Sequence, residues 1–273
     1  MHAQQSPRLR NAPSLVESGA LVVLLLACSG AAWLVTTRLT TADMQVGLLT
    51  SPLVISSMDQ MTAMGMPPFG PFVGMWAIMM AAMMLPSLWP AARAVDGTRR
   101  AAKQTFAVTV LFIAGYLLAW SAMGPAAYLI MVLLQNLPAV GGEASLRGGA
   151  ILLLVAGAYQ FTPLKQACLR KCHAPHAQLA LEERIGETRG LAPLSRGLAH
   201  GAYCLGSSWP LMLVLLLLGM MNLAWMGVVA LMILLEKTLP SGRAISKAVG
   251  IGLTAIGLIL IAAPHPLPVL VGH

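Results

Sequence analysis

Seven apolar stretches divide this chain, near residues 17–37, 70–92, 104–134, 146–163, 197–219, 222–240 and 244–263. Each approaches or exceeds the roughly 20 residues that a helix needs to cross about 30 Å of hydrocarbon. The pattern predicts an all-α, polytopic transmembrane bundle of about seven spans. It has a segment 1–16 before the bundle, a single bundle over 17–263 and a short tail over 264–273. The third stretch is too long to stand upright and must tilt or bend, with Gly124-Pro125 as the expected place because proline removes a helical hydrogen bond. The fifth and sixth stretches run together, and only Gly219 and Asn222 offer a turn between them.

The polar positions assign the ends. Cytoplasmic loops of membrane proteins collect Lys and Arg. With the N-terminus inside and the C-terminus outside, only Arg38 and Arg147 of the 17 basic residues fall outside. Without the turn at Asn222, Lys237, Arg243 and Lys247 would also lie outside, which favours seven spans over six. Composition agrees, since 58% hydrophobic and 10% charged residues is far from a soluble chain. The formal charge of +8 follows the loop ends and forms no aromatic-interleaved basic face, so it reads as topology and attraction to anionic lipid, not as a nucleic-acid surface. The setting expected is the cytoplasmic (inner) membrane of a bacterium, with the lipid bilayer as the main partner. LLAC at Leu25 to Cys28 loosely matches a lipoprotein cleavage site, but the apolar run continues through AAWLV, as in an anchor that stays.

Two polar segments flank the bundle. The outer one, Arg38 to Phe69, ends in the stiff MPPFGPF, and the inner one, from about Lys165 to Arg196, contains QLALEERIG, which suggests a short surface helix.

Methionine is concentrated unusually: nine of the 18 lie between positions 58 and 84. Packing explains any single one, because methionine fills gaps in cores. Ligation has a physical argument too. A thioether is uncharged, so it enters hydrocarbon without the cost of a carboxylate, and it is a soft donor that selects Cu(I) over hard cations. Met58, Met61, Met64 and Met66 have the MxxM and MxM spacing that lets a loop fold around one ion. Met75, Met79 and Met83 recur every four residues, and Met80 and Met84 widen the set to about 180° of one helix. Such a helix can ligate with one subset and pack with another. Pro86 frees the carbonyl of Ala82 beside Met83, a distortion read either as a kink or as a mark of function.

A second set of soft and borderline donors lies on the inner side. CLRKCHAPH holds Cys168, Cys172, His173 and His176, and AHGAYC at the start of the next span holds His200 and Cys204. Each pair of cysteines or of His and Cys at i and i+4 shares a helical face, a mixture suited to copper or zinc. The spacing is not that of a zinc finger, and reduced cytoplasmic thiols with solvated histidines are the alternative. Glu236, the only acid within an expected span apart from Glu17 at the very edge of the first, is expected to snorkel or to pair with Lys237. Asn222 closes a hairpin or bonds between helices. No nucleophile elbow, phosphate loop or H-E-x-x-H helix is present in the sequence, so any catalysis would depend on a bound metal.

The blocks WAIMMAAMMLP, AGAYQFTPLKQACLRKCHAP, GAYCLGSSWPLM, GMMNLAWM and LLEKTLPSG stand in order between Phe72 and Gly250. Together they resemble the bacterial membrane family labelled DUF2182, described as predicted metal-binding integral membrane proteins. The resemblance implies a polytopic membrane protein with a metal site. It matches the family pattern at Trp76, Met79, Met83, Met84 and Pro86, at Tyr159, Gln160, Pro163, Lys165, Cys168 and Cys172, at Cys204, Gly206 and Trp209, and at Asn222, Trp225, Glu236, Lys237 and Pro240. Ser207 and Ser208 stand where that family often has a Cys-Cys pair, which removes two soft ligands.

The leading expectation is a metal-binding membrane protein, for copper before zinc, that acts in transport, storage or delivery to a partner. The alternatives are a structural or assembly subunit of a membrane complex that binds no metal, and a copper-dependent membrane oxidase.

Overall fold

In the computed structural model, residues 15–39, 68–101, 105–135, 142–173, 191–218 and 222–262 are described, and they are helical almost throughout with no strand among them. Helices α1 (Leu15–Leu39), α2 (Phe69–Ala101), α3 (Ala107–Ser121), α4 (Met123–Gln135) and α5 (Gly142–Tyr159) are followed by α6 (Pro163–His173), α7 (Ala192–Leu218), α8 (Leu223–Thr238) and α9 (Gly242–Ala262). The all-α expectation holds. Among the described residues, five stretches are long and apolar enough to cross a membrane, in α1, in α2, in α3 with the start of α4, in α7 and in α9. Large apolar side chains such as Val23, Leu34, Leu198 and Ile251 point outward along these helices. Water would charge about 25 cal/mol for each Å² of such surface, and lipid removes that cost.

Three boundaries differ from those expected. The expected span 104–134 is divided at Ala122, one turn before Gly124-Pro125, because Pro125 has no N–H for the carbonyl of Ser121 and the helical ladder fails there. The expected span 146–163 stops at Tyr159, and Pro163 begins a separate helix, α6. The expected span 222–240 is only the 16 residues of α8, shorter than a full crossing.

Helix α2 lies centrally and packs against α1, α3, α4 and α8. This explains why its methionines, spread widely round the helix, are nevertheless all buried from Met79 to Met84. Close approach elsewhere depends on small residues, as expected where lipid offers no hydrophobic drive between helices. Helices α3 and α7 run parallel, with Gly197 against the backbone of Phe112 and Gly201 against Ala119, so close that a Cβ on Gly197 would overlap the Phe112 carbonyl. Helices α5 and α9 run antiparallel, with Gly157 facing Gly250 and Thr254 and Gly257 facing Leu154.

Two prolines inside helices, Pro86 and Pro210, free a carbonyl that a neighbouring hydroxyl takes. Pro86 leaves the carbonyl of Ala82, which accepts from Ser29 Oγ of α1 at 2.7 Å. Pro210 leaves the carbonyl of Gly206, which accepts from the Tyr159 hydroxyl of α5 at 2.7 Å. A buried carbonyl without a donor costs about 1–3 kcal/mol, so each hydroxyl joins two helices at a point where the chain needs it. The end of α2 is tied to the start of α3 by buried Asp96, which accepts from Arg99, from Arg100 Nε at 2.7 Å and from Thr109 Oγ1 at 3.3 Å.

Candidate metal centre

Helix α6 is short and polar and lies against α7, and their register creates the candidate centre. Cys168 packs its sulfur on Gly206, where a Cβ would come within 2.8 Å of Sγ. One turn along, Lys171 Nζ donates to the Tyr203 hydroxyl at 2.8 Å. This antiparallel pairing brings Cys172 beside Cys204 and Ser207. Both thiols are buried and belong to one contiguous core with Met79, Met80, Met83, Met84 and Met226.

Two polar groups meet the sulfur of Cys204. Lys237 Nζ, from the last turn of α8, donates to Cys204 Sγ, and the Tyr116 hydroxyl of α3 lies 3.0 Å from the same atom. Ser87, whose hydroxyl donates to the carbonyl of Met84 at 2.9 Å, faces the Tyr116 hydroxyl. A line of polar and sulfur groups therefore runs from the methionines of α2 through Ser87 and Tyr116 to Cys204, Lys237 and Cys172.

Beside this line lies a buried ion pair. Lys165 Nζ is 2.7 Å from Glu236 Oε1, with side chains 0% and 4% exposed. At this distance an ammonium and a carboxylate form a direct ion pair away from water. The expected pairing of Glu236 with Lys237 is thus replaced. Adjacent helical residues point about 100° apart, so Glu236 turns to Lys165 of α6 while Lys237 turns to Cys204 of α7.

The electrostatics of α6 follow from burial. Burial lowers Lys165, against the nearby Glu236 carboxylate, which raises it. Burial first, with Cys204 and Cys168 adding to it, pushes the Cys172 thiol up to about 12 against the pull of the Lys237 ammonium and Ser207. Without a metal, Cys172 is a neutral thiol.

The remaining expected residues fall in several places. His200 is buried and does not join the thiols; its ring packs between Phe112 and Tyr116, with centroids 5.8 and 5.9 Å away. His173 is exposed, with Nδ1 2.9 Å from the carbonyl of Leu169 and Nε2 3.3 Å from that of Leu239, two backbone oxygens that hold it against the turn after α8. Met75 is half-buried. Trp76 fills the notch made by Gly124 and donates through Nε1 to the carbonyl of Trp120 at 3.0 Å, and Asn222 caps α8 by accepting from the N–H groups of Ala224 and Trp225. Met58, Met61, Met64, Met66 and His176 lie outside the described residues, as does QLALEERIG.

Among the described residues, no three His, Cys, Asp or Glu side chains converge as a metal cluster. Of the five inner donors that are described, Cys172 and Cys204 come together, with Cys168 one turn away. Two thiols lined up with thioethers suit Cu(I), a soft monovalent d¹⁰ ion that accepts few sulfur ligands. Structural zinc takes four ligands, more than this set supplies. The sequence pointed to the cysteines by their i, i+4 spacing, but it held no signal that Lys237 and Tyr116 would meet Cys204.

A model of the PpoB2 family, described as a copper chaperone, matches residues 73–260. That stretch runs from the first turns of α2 almost to the end of α9 and includes every residue of the thiol centre. The matched family bears a different name from the one the motifs resemble, and both concern metal. No curated protein and no solved structure matches the chain.

Proposed function

This chain belongs to the PpoB2 family of copper chaperones, and from that membership we propose that it carries Cu(I) as cargo within the bilayer. In this reading Met58, Met61, Met64 and Met66 collect the ion, Met79, Met83 and Met84 of α2 take it into the bundle, and the Cys172–Cys204 pair holds it for a partner. The observation that carries the reading is the shared buried core of the α2 methionines and the two thiols, with Lys237 and Tyr116 directed at Cys204. The basic loop ends support a thiol end facing the cytoplasm of a bacterial cell. A neutral thioether releases Cu(I) readily and a thiolate holds it, so the order of donors sets a downhill direction toward the thiols.

The test is copper content by mass spectrometry of detergent-purified protein supplied with copper, beside Cys204→Ser and Met79→Leu/Met83→Leu. The expected result is near-stoichiometric copper in the parent, its loss in Cys204→Ser, and slower loading of the thiols in the methionine variant. Leucine and methionine have similar volume, so that variant keeps its fold. A folded parent without copper, or copper retained equally in both variants, would overturn the proposal.

A further inference from the structure

Lys237 touches the Cys204 thiol, the buried Lys165–Glu236 pair lies near Lys237, and the sum of the three charges is not zero. Lys165 and Lys237 contribute two positive charges and Glu236 one negative, and all three are 6% exposed or less. His200 lies among aromatic rings and is counted as neutral, while Arg170 and Lys171 are exposed and screened by solvent. The protein therefore supplies one uncompensated positive charge in a place of low dielectric, and Lys237 puts it directly on a candidate ligand.

We propose that Lys237 is a specificity-determining residue, a fixed positive charge that makes the Cys172–Cys204 site select a monovalent soft cation and reject divalent ions. The proposal rests on the thiol-pair reading of the site. Metal ligands bind as thiolates, so two of them contribute two negative charges. With the +1 of the three buried residues and +1 from Cu(I), the centre is neutral. With Zn(II) the same sum leaves a whole positive charge, and unbalanced charge in a buried site is costly. Softness alone does not make this distinction, because thiolates also bind zinc tightly. In this site the second criterion is charge.

Lys237 in this role touches the ligand Cys204 and need not touch the metal. Replacing it with the isosteric but neutral methionine makes the Zn(II) centre neutral and leaves the Cu(I) centre one charge negative. Lys237→Arg keeps the charge and so keeps the selectivity. Glu236→Gln adds a positive charge and acts in the opposite sense.

The experiment uses the full chain in detergent, titrated with Cu(I) buffered by bathocuproine and separately with Zn(II) against a chromophoric chelator. In the parent, Cu(I) binds and Zn(II) binds weakly. Lys237→Met is expected to shift the ratio of Cu(I) to Zn(II) affinity toward zinc by about a hundredfold or more, as one unit charge a few ångströms away implies at an effective dielectric near 20. Lys237→Arg is expected to leave the ratio within about twofold of the parent. Should Lys237→Met not fold, Lys237→Gln, neutral but still able to donate to the Cys204 sulfur, carries the test with the same shift toward zinc expected. An unchanged ratio in the folded neutral variant overturns the role of Lys237. Copper retained in Cys204→Ser overturns the thiol site itself, so the two failures are distinguishable.

Discussion

Breaking the Lys165–Glu236 pair from either side is expected to destabilise the bundle unequally. Removing one partner of a buried ion pair costs about 3–5 kcal/mol, because the other charge is left in a poor solvent. Here the two sides differ. If Lys165→Met removes the lysine, Glu236 still feels the ammonium of Lys237, its chain neighbour, so the loss belongs at the lower limit of about 3 kcal/mol. Glu236→Leu instead leaves two lysines near each other with no acid between them, which places its loss near about 5 kcal/mol. The double variant Lys165→Met/Glu236→Leu removes both charges and supplies apolar bulk. Its expected loss is below about 2 kcal/mol, less than either single change, since a buried pair replaced by apolar groups is often neutral in stability. Equilibrium unfolding in mixed micelles, followed by far-ultraviolet circular dichroism, gives the four corners of the cycle. Additive losses, with a coupling below about 0.5 kcal/mol, would show that the two side chains do not depend on each other and would refute the charge arrangement.

Other consequences are as specific. Tyr159→Phe should cost about 1–3 kcal/mol by leaving the Gly206 carbonyl without a donor, and far less in a Pro210→Ala background that restores the helical N–H; paired unfolding curves decide this. Gly197→Ala should reduce the yield of folded protein sharply, as seen by size-exclusion chromatography, because its Cβ overlaps the Phe112 carbonyl at the tightest part of the α3–α7 contact. Gly206→Ala should push Cys168 and α6 away from α7 and lower copper retention more than overall stability, measured as metal content beside unfolding midpoint.

Much of the architecture was legible in the linear sequence, for a simple reason: a segment that crosses lipid must satisfy its backbone internally and carry an apolar surface, and both requirements are local. Apolar length located α1, α2, α7 and α9, and proline announced the break before Pro125, although the missing hydrogen bond acts a turn upstream, at Ser121. Asn222 was readable as a turn because its cap is formed with residues two and three places on. The soft donors stood out by residue type and spacing, since copper chemistry depends on sulfur wherever it is folded. What the chain order could not contain is which side chains meet across helices. His200 and Cys204 share a helical face, yet one packs among aromatic rings and the other meets Lys237 of α8. Glu236 and Lys237 are adjacent and have different partners, since neighbouring helical residues point about 100° apart. By itself the sequence determined an apolar helical protein rich in sulfur. The tertiary structure decided that two thiols, one ammonium and a central methionine helix share a single buried core, because helix–helix register, which no local pattern encodes, brings them there.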